Sequence, residues 1–152
     1  MSAYDAIEAA AITILKTATR FAGHTGRVST SFKILDAGEP EGIVVQMGAF
    51  SPEEDAAMMH YRDWDVLMGL FVRIGTDEDA AWTALKSIRG DVVDLLAKYP
   101  TLNKLAGVVQ TTTGSDGDPT EIFDKANQGP FFVGQILRLT GTHRADITGG
   151  EF

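Results

Sequence analysis

The chain has no cysteine among its 152 residues, only five prolines, and fewer bases than acids. Without cysteine there is no disulfide framework, no thiolate metal site and no thiol redox chemistry, while the compartment stays open because cytosolic proteins also do without the residue. Thirteen lysines and arginines stand against 21 aspartates and glutamates, a formal net charge of −8. That balance opposes counterion-release binding to a phosphate backbone and disfavours direct nucleic-acid binding; solubility is the plainer account of the acidity. No charge-free apolar run reaches the roughly 18 residues of a membrane span. The segment from Met1 to Ala22 is interrupted by Asp5, Glu8, Lys16 and Arg20, with acid where a secretory signal would carry base. A soluble protein is therefore expected.

Catalytic signatures are missing too. There is no Gly-x-Ser-x-Gly elbow, no HExxH spacing, no phosphate-binding loop and no dinucleotide-binding glycine pattern. His24, His60 and His143 lie far apart and read as surface or turn residues. The run from Gly114 to Asp118 has neither the alternating ligands nor the closing glutamate of a calcium loop, so Asp116 and Asp118 read as turn formers. Asp77, Glu78 and Asp79 open a helix, where acid suits the positive end, and Thr76 with Asp79 reads as a capping box. No catalytic residue, metal or cofactor is expected, and function is sought on surfaces.

What is present is periodicity. Trp64, Val66, Met68, Leu70, Val72 and Ile74 alternate with Asp65, Leu67, Gly69, Phe71 and Arg73, the period of a half-buried strand, until Gly75-Thr76-Asp77 breaks it. Ala81, Leu85, Ile88, Val92, Leu95, Leu96 and Tyr99 then form one helical stripe that Pro100 closes. From Phe131 to Thr142 a second strand sets Phe131, Val133, Gln135, Leu137 and Leu139 inward, against Phe132, Gly134, Ile136, Arg138 and Thr140.

The flanking segments are shorter. Ser2 can cap a first helix from about Ala3 to Phe21, with Asp5 and Glu8 at its positive end and Lys16 and Arg20 at its negative end, stopped by Gly23. Its apolar face is Tyr4, Ile7, Ala11, Ile14, Leu15, Ala18 and Phe21. Phe32 to Leu35 and Gly42 to Phe50 read as a hairpin around Asp36 to Pro40, ended by Ser51-Pro52. Ser51 to Arg62 reads as either a short helical turn or a loop tip. Gln110 to Thr113 reads as a strand ended by Gly114 to Pro119, and Thr120 to Gly129 as a loop with one helical turn. The order predicts a single α+β domain over residues 1–152: a mostly antiparallel sheet with two main helices packed on one face, and a loose tail from Ala145 to Phe152.

This succession of segments resembles the tail terminator proteins of long-tailed bacteriophages, also called minor tail or tail completion proteins. The residues that carry the likeness run from the N-terminal helix and the Gly42–Phe50 strand through Trp64–Ile74. They continue through Ile88-Arg89-Gly90-Asp91-Val92-Val93-Asp94-Leu95-Leu96, ending in Tyr99-Pro100-Thr101-Leu102, and close on Gln135–Thr142. The resemblance implies a virion structural protein of the tail or neck, assembled in the host cytoplasm. Such a subunit forms a homo-oligomeric, hexameric ring that caps the tail tube, stops its polymerisation and offers a docking face to the head-side connector. DNA would pass through the lumen, which a negative charge would keep from sticking. A head–tail connector or tail tube subunit of the same particle is the alternative. A ligand-binding or enzymatic α+β module using His60 or Asp65 is a third possibility. For the interface the sequence offers Phe50, Met58, Met59 and Tyr61 in the middle loop and Phe123, Phe131 and Phe152 later, each weighed against an ordinary place in the core.

Overall fold

The computed structural model describes residues 3–24, 27–30, 40–50, 54–56, 59–123 and 130–146, with backbone alone at 3, 49–50, 54–56, 59–62, 123, 130–131 and 145–146. Its elements are α1 (Ala3–Leu15), β1 (Val28–Ser29), β2 (Glu41–Phe50), β3 (Glu54–Ala56), β4 (Met59–Arg73), α2 (Glu78–Ala97), β5 (Thr112–Ser115), β6 (Thr120–Phe123) and β7 (Pro130–Asp146). They form an α+β fold around one seven-stranded sheet, ordered β1-β2-β4-β7-β5, with β3 also on β4 and β6 also on β7. Among the described residues only the β1–β2 pair is parallel; the other five pairs are antiparallel.

The period of two decides which face is buried. Ile43 and Val45 of β2, Val66, Met68, Leu70 and Val72 of β4, and Val133, Leu137 and Leu139 of β7 lie side by side by register, with Val45 opposite Met68 and Met68 opposite Leu137. All belong to one apolar cluster with Ile7, Ala11, Ile14 and Leu15 of α1 and Ala81, Leu85, Ile88, Val92 and Leu96 of α2. Val44 and Phe132 point the other way and, although buried, fall outside that cluster. Both helices therefore cover the same face. The inward set expected for the last strand is correct at Val133, Gln135, Leu137 and Leu139, while the Phe131 side chain lies outside the described residues.

Several boundaries differ from expectation, each for a local reason. Helix α1 ends at Leu15, short of Phe21, and the Ser2 cap lies outside the described residues. The Thr17 hydroxyl donates to the Ile14 carbonyl at 2.6 Å, and the backbone then tightens into three-residue steps, Thr17 to Ile14, Ala18 to Leu15 and Phe21 to Ala18. A threonine that offers the backbone an alternative partner weakens a helix end in this way. Phe21 still reaches the core at 2% exposure. Arg20 consequently lies past the helix, where it donates to Glu41 (2.6 Å), Asp91 (2.8 Å) and the Ser87 hydroxyl (2.8 Å), joining the turn to β2 and α2. Glu8, expected to serve the helix dipole, accepts instead from the Met47 backbone N–H at 2.8 Å, beside the register shift between Met47 and Phe50.

Glu54–Ala56 and Met59–Tyr61 are strand segments paired with each other, so the helical turn or loop tip expected over Ser51–Arg62 is replaced by a short antiparallel pair. Thr120–Phe123 is a strand on β7, replacing the expected loop, and β5 sits two residues later than the predicted strand, taking in Gly114 and Ser115. In each case pairing with the long β7 or β4 strand decides where the short segment forms a strand. The Phe32–Leu35 half of the predicted hairpin lies outside the described residues; the described neighbours of β2 are β1 and β4. Ala145 and Asp146, assigned to the tail, continue β7, and residues 147–152 lie outside the described residues.

The N-terminus of α2 is capped by Asp77, one residue after the expected Thr76. The Asp77 carboxylate accepts from the Asp79 and Ala80 backbone N–H groups at 3.0 and 3.3 Å, with extended backbone at φ −125°. Loss of such a cap costs about 1 kcal/mol. Asp77→Ala is thus expected to lower stability by about 1 kcal/mol and Thr76→Ala by much less, measured by urea denaturation at equal m-value.

Candidate functional site

The sheet face opposite the helices carries the outward set of each strand: Val44 and Gln46, then Asp65, Leu67, Gly69, Phe71 and Arg73, then Phe132, Gly134, Ile136, Arg138 and Thr140. Register places Asp65 opposite Thr140, Leu67 opposite Arg138 and Gly69 opposite Ile136. The Arg138 guanidinium spans this surface, 3.3 Å from Asp65 and 2.9 Å from Asp116 in the turn between β5 and β6. Asp65 is nearly buried, and Gly48 on β2 makes room for it, since a side chain there would collide with the Asp65 carboxylate. Arg73 lies over the Phe132 ring at 5.1 Å, within cation–π range.

Next to this chain of charges is an open pocket of about 280 Å³, whose walls include Phe71, Ile122, Gly134 and Ile136 with Asp116 and Asp118 at the turn. Its floor depends on Gly134: a Cβ there would sit 2.8 Å from the Leu70 carbonyl and 3.0 Å from Ile122 Cδ1. The turn is held on both sides of β7. Asp116 N–H donates to the Ile136 carbonyl at 2.8 Å, and the buried Gln135 donates to the Gly117 carbonyl at 2.9 Å while accepting from Arg89 of α2 at 3.0 Å. A polar residue on the core face is thereby satisfied and couples α2 to the pocket rim.

Among the described residues no group of three or more His, Asp or Glu is gathered for a metal ion. No helix among them is long and apolar enough to cross a membrane. His143, expected at the surface, is buried in β7, where Val108 bridges to it and Gly107 leaves space for its ring. His24 is exposed as expected, and the His60 side chain lies outside the described residues.

Of the interface residues named from the sequence, Phe50 closes β2, Met59 and Tyr61 open β4, Phe123 closes β6 and Phe131 opens β7, all with side chains outside the described residues. Met58 and Phe152 lie wholly outside them. The pocket residues Phe71, Ile122 and Ile136 were not singled out. Their signal was an apolar residue in the set facing away from the helices, Phe71 on β4 and Ile136 on β7. Asp116 and Asp118 do shape the turn, and they also rim the pocket.

With this geometry in view, no protein-family model matches the chain, and no curated protein matches it either.

On the helix-covered side of the sheet, Glu121 of β6 meets Glu78 in the first turn of α2. The Glu121 carboxyl is raised above its ordinary range, chiefly by a side-chain hydrogen bond with Glu78, then by burial and by the Glu78 charge. A carboxyl raised in the folded state stabilises the fold below its unfolded value, and that contribution is lost as pH rises through the folded value. Glu121→Gln, neutral throughout, is expected to raise the melting temperature at pH 7. The gain should vanish at about pH 3.5, where an ordinary glutamate is protonated. A gain independent of pH would exclude this origin.

Proposed function

We propose that this chain is a structural virion subunit, the tail terminator of a long-tailed bacteriophage. It would form a hexameric ring that caps the tail tube, stops its polymerisation and presents a docking face to the head-side connector. The observation that carries the reading is the one-sided layering of the sheet. Both helices cover one face, leaving an opposite face with a half-open apolar pocket and, among the described residues, no strand on the far side of β1, β5 or β6. A ring needs two complementary surfaces on each subunit, related by a rotation that closes, and sheet edges can supply one of them by strand addition. The segment order, a helix, a strand pair, a long strand, a helix and a closing long strand, supports the same assignment.

The role is assembly rather than catalysis. The charged groups of the outward face are committed to one another, Arg138 to both Asp65 and Asp116. A net charge of −8 suits a lumen through which DNA slides without adhering. The protein would then reside in the tail or neck of the particle after assembly in the host cytoplasm.

The test mixes the protein with tail-tube protein and examines it by native mass spectrometry and electron microscopy. A six-copy ring on one end of tubes of limited length is expected. A monomer that leaves tube growth unchanged would sink the proposal. Long cylinders formed by the protein alone would identify it as a tube subunit.

A further inference from the structure

We infer that a second copy of this chain fills the apolar pocket, inserting its Val109 between Phe71, Ile122 and Ile136 and setting its Lys104 and Arg144 against Asp118. The inference deepens the ring proposal and rests on it only for how many copies join.

The first support is exposure. Val109 and Ile136 are the two large hydrophobic residues left exposed among the described residues, at 40% and 38%. One projects from the surface and the other lines a concavity. At about 280 Å³ the pocket lies just under the roughly 300–1,000 Å³ of sites that enclose drug-sized ligands. It suits an aliphatic side chain and its flanks better than a metabolite.

The second support is charge. Residues 98–115 contain Lys98 and Lys104 and no acid. Arg144 is exposed beside this segment, its backbone N–H donating to the Gly107 carbonyl, and Val109 N–H donates to the Thr142 carbonyl at 2.9 Å. Base therefore lies on the segment that carries the valine and on the strand beside it, with Asp63, hydrogen-bonded to the Thr142 hydroxyl at 2.8 Å, as the neighbouring acid. The pocket is rimmed by Asp118 and by Asp116, the latter paired with Arg138 of its own chain at 2.9 Å. Opposed potentials of this kind favour one partner and penalise others.

The third support is presentation. Leu102, Asn103 and Lys104 follow one another at φ 52°, 61° and 62°, a left-handed run costing about 1–2 kcal/mol per residue. Leu102 and Val108, buried at 2% and 8%, hold that run in place. Val109 is thus displayed from an anchored loop. It cannot serve its own pocket: it is tied to β7 at Thr142 and the pocket to β7 at Ile136, about 20 Å apart at about 3.3 Å per strand residue. Two different surfaces on one chain that fit each other let one copy's valine meet another copy's pocket, a contact that a ring repeats when it is not reciprocated.

The test is sedimentation equilibrium of wild type, Val109→Asp, Ile136→Arg and an equimolar mixture of the two variants, from about 1 to 100 µM. Each single variant should weaken self-association by about tenfold or more with its melting temperature unchanged. The mixture should form a one-to-one pair that grows no further, because one variant keeps its pocket and the other keeps its valine. If either variant unfolds, Asp118→Lys and Lys104→Glu take its place: each alone should weaken association, and their mixture should restore one contact. A monomeric wild type, variants that associate like wild type, or a mixture that stays monomeric would each overturn the inference. Rings that survive both substitutions would overturn this contact and leave the terminator proposal standing. Association through this contact by a protein that never caps tubes would do the reverse.

Discussion

The structure depends on the pairing of two strands. All fifteen residues of β4 pair with β7 in unbroken antiparallel register from Met59 opposite Asp146 to Arg73 opposite Phe132. Every other strand except β1 attaches to this ribbon directly: β2 and β3 along the free side of β4, β5 and β6 along the free side of β7. Because side chains alternate with a period of two, one register assigns both faces at once. A slip of β7 by one residue would turn Leu137 and Leu139 away from the helices and bring Arg138 beneath them, and a slip of β4 would do the same with Met68, Leu70 and Asp65. Burying an unpaired charge costs far more than a misplaced methyl, so the ion pairs of the outer face and the apolar inner face specify the same register.

Two glycines show how tightly the ribbon constrains what lies on it. Gly141 leaves space for the Trp64 indole, where a Cβ would come within 2.7 Å of Cζ2, and Gly134 opens the pocket floor under Phe71 and Ile122. Both are on β7, seven residues apart, one on each face of the sheet. A side chain at the first would expel an aromatic from the core; at the second it would fill the concavity. The same strand therefore carries core packing on one side and surface shape on the other.

Much of this was legible in the sequence, and the divide between what was and was not is physical. The two long strands and α2 declared themselves because burial on one face imposes a period over many residues, as in Trp64–Val72 and Ala81–Leu96. The short strands β3 and β6 did not: Glu54-Asp55-Ala56 has little strand preference, and Thr120–Phe123, though Thr, Ile and Phe favour strands, is too short to show a period. The shortened α1 turns on hydroxyl competition at Thr17, which periodicity does not register. The pocket was hidden for a further reason. Its walls come from β4, β6, β7 and a turn, and Phe71, Ile122 and Ile136 become neighbours only once the register is known. Asp116 and Asp118 were visible as turn formers; their place on the rim follows from the Gln135–Gly117 hydrogen bond that fixes the turn.

That hydrogen bond also bears on how surface and core communicate. Gln135 is the polar member of an otherwise apolar inward set, and it is retained by two partners, Arg89 on α2 and the Gly117 carbonyl. A hydrophobic residue of similar volume would pack at this position but would leave the turn unanchored and the Arg89 donor without this acceptor. Its presence makes sense when the turn's position matters more than an extra increment of apolar burial. The Arg138 bridge restrains the same turn from the outer face through Asp116. Held from both sides of the sheet, the rim has a fixed shape before any neighbour arrives, so association at this surface would lose little ordering entropy. A preformed, acid-rimmed concavity on the uncovered face is suited to the association with a second copy that we propose.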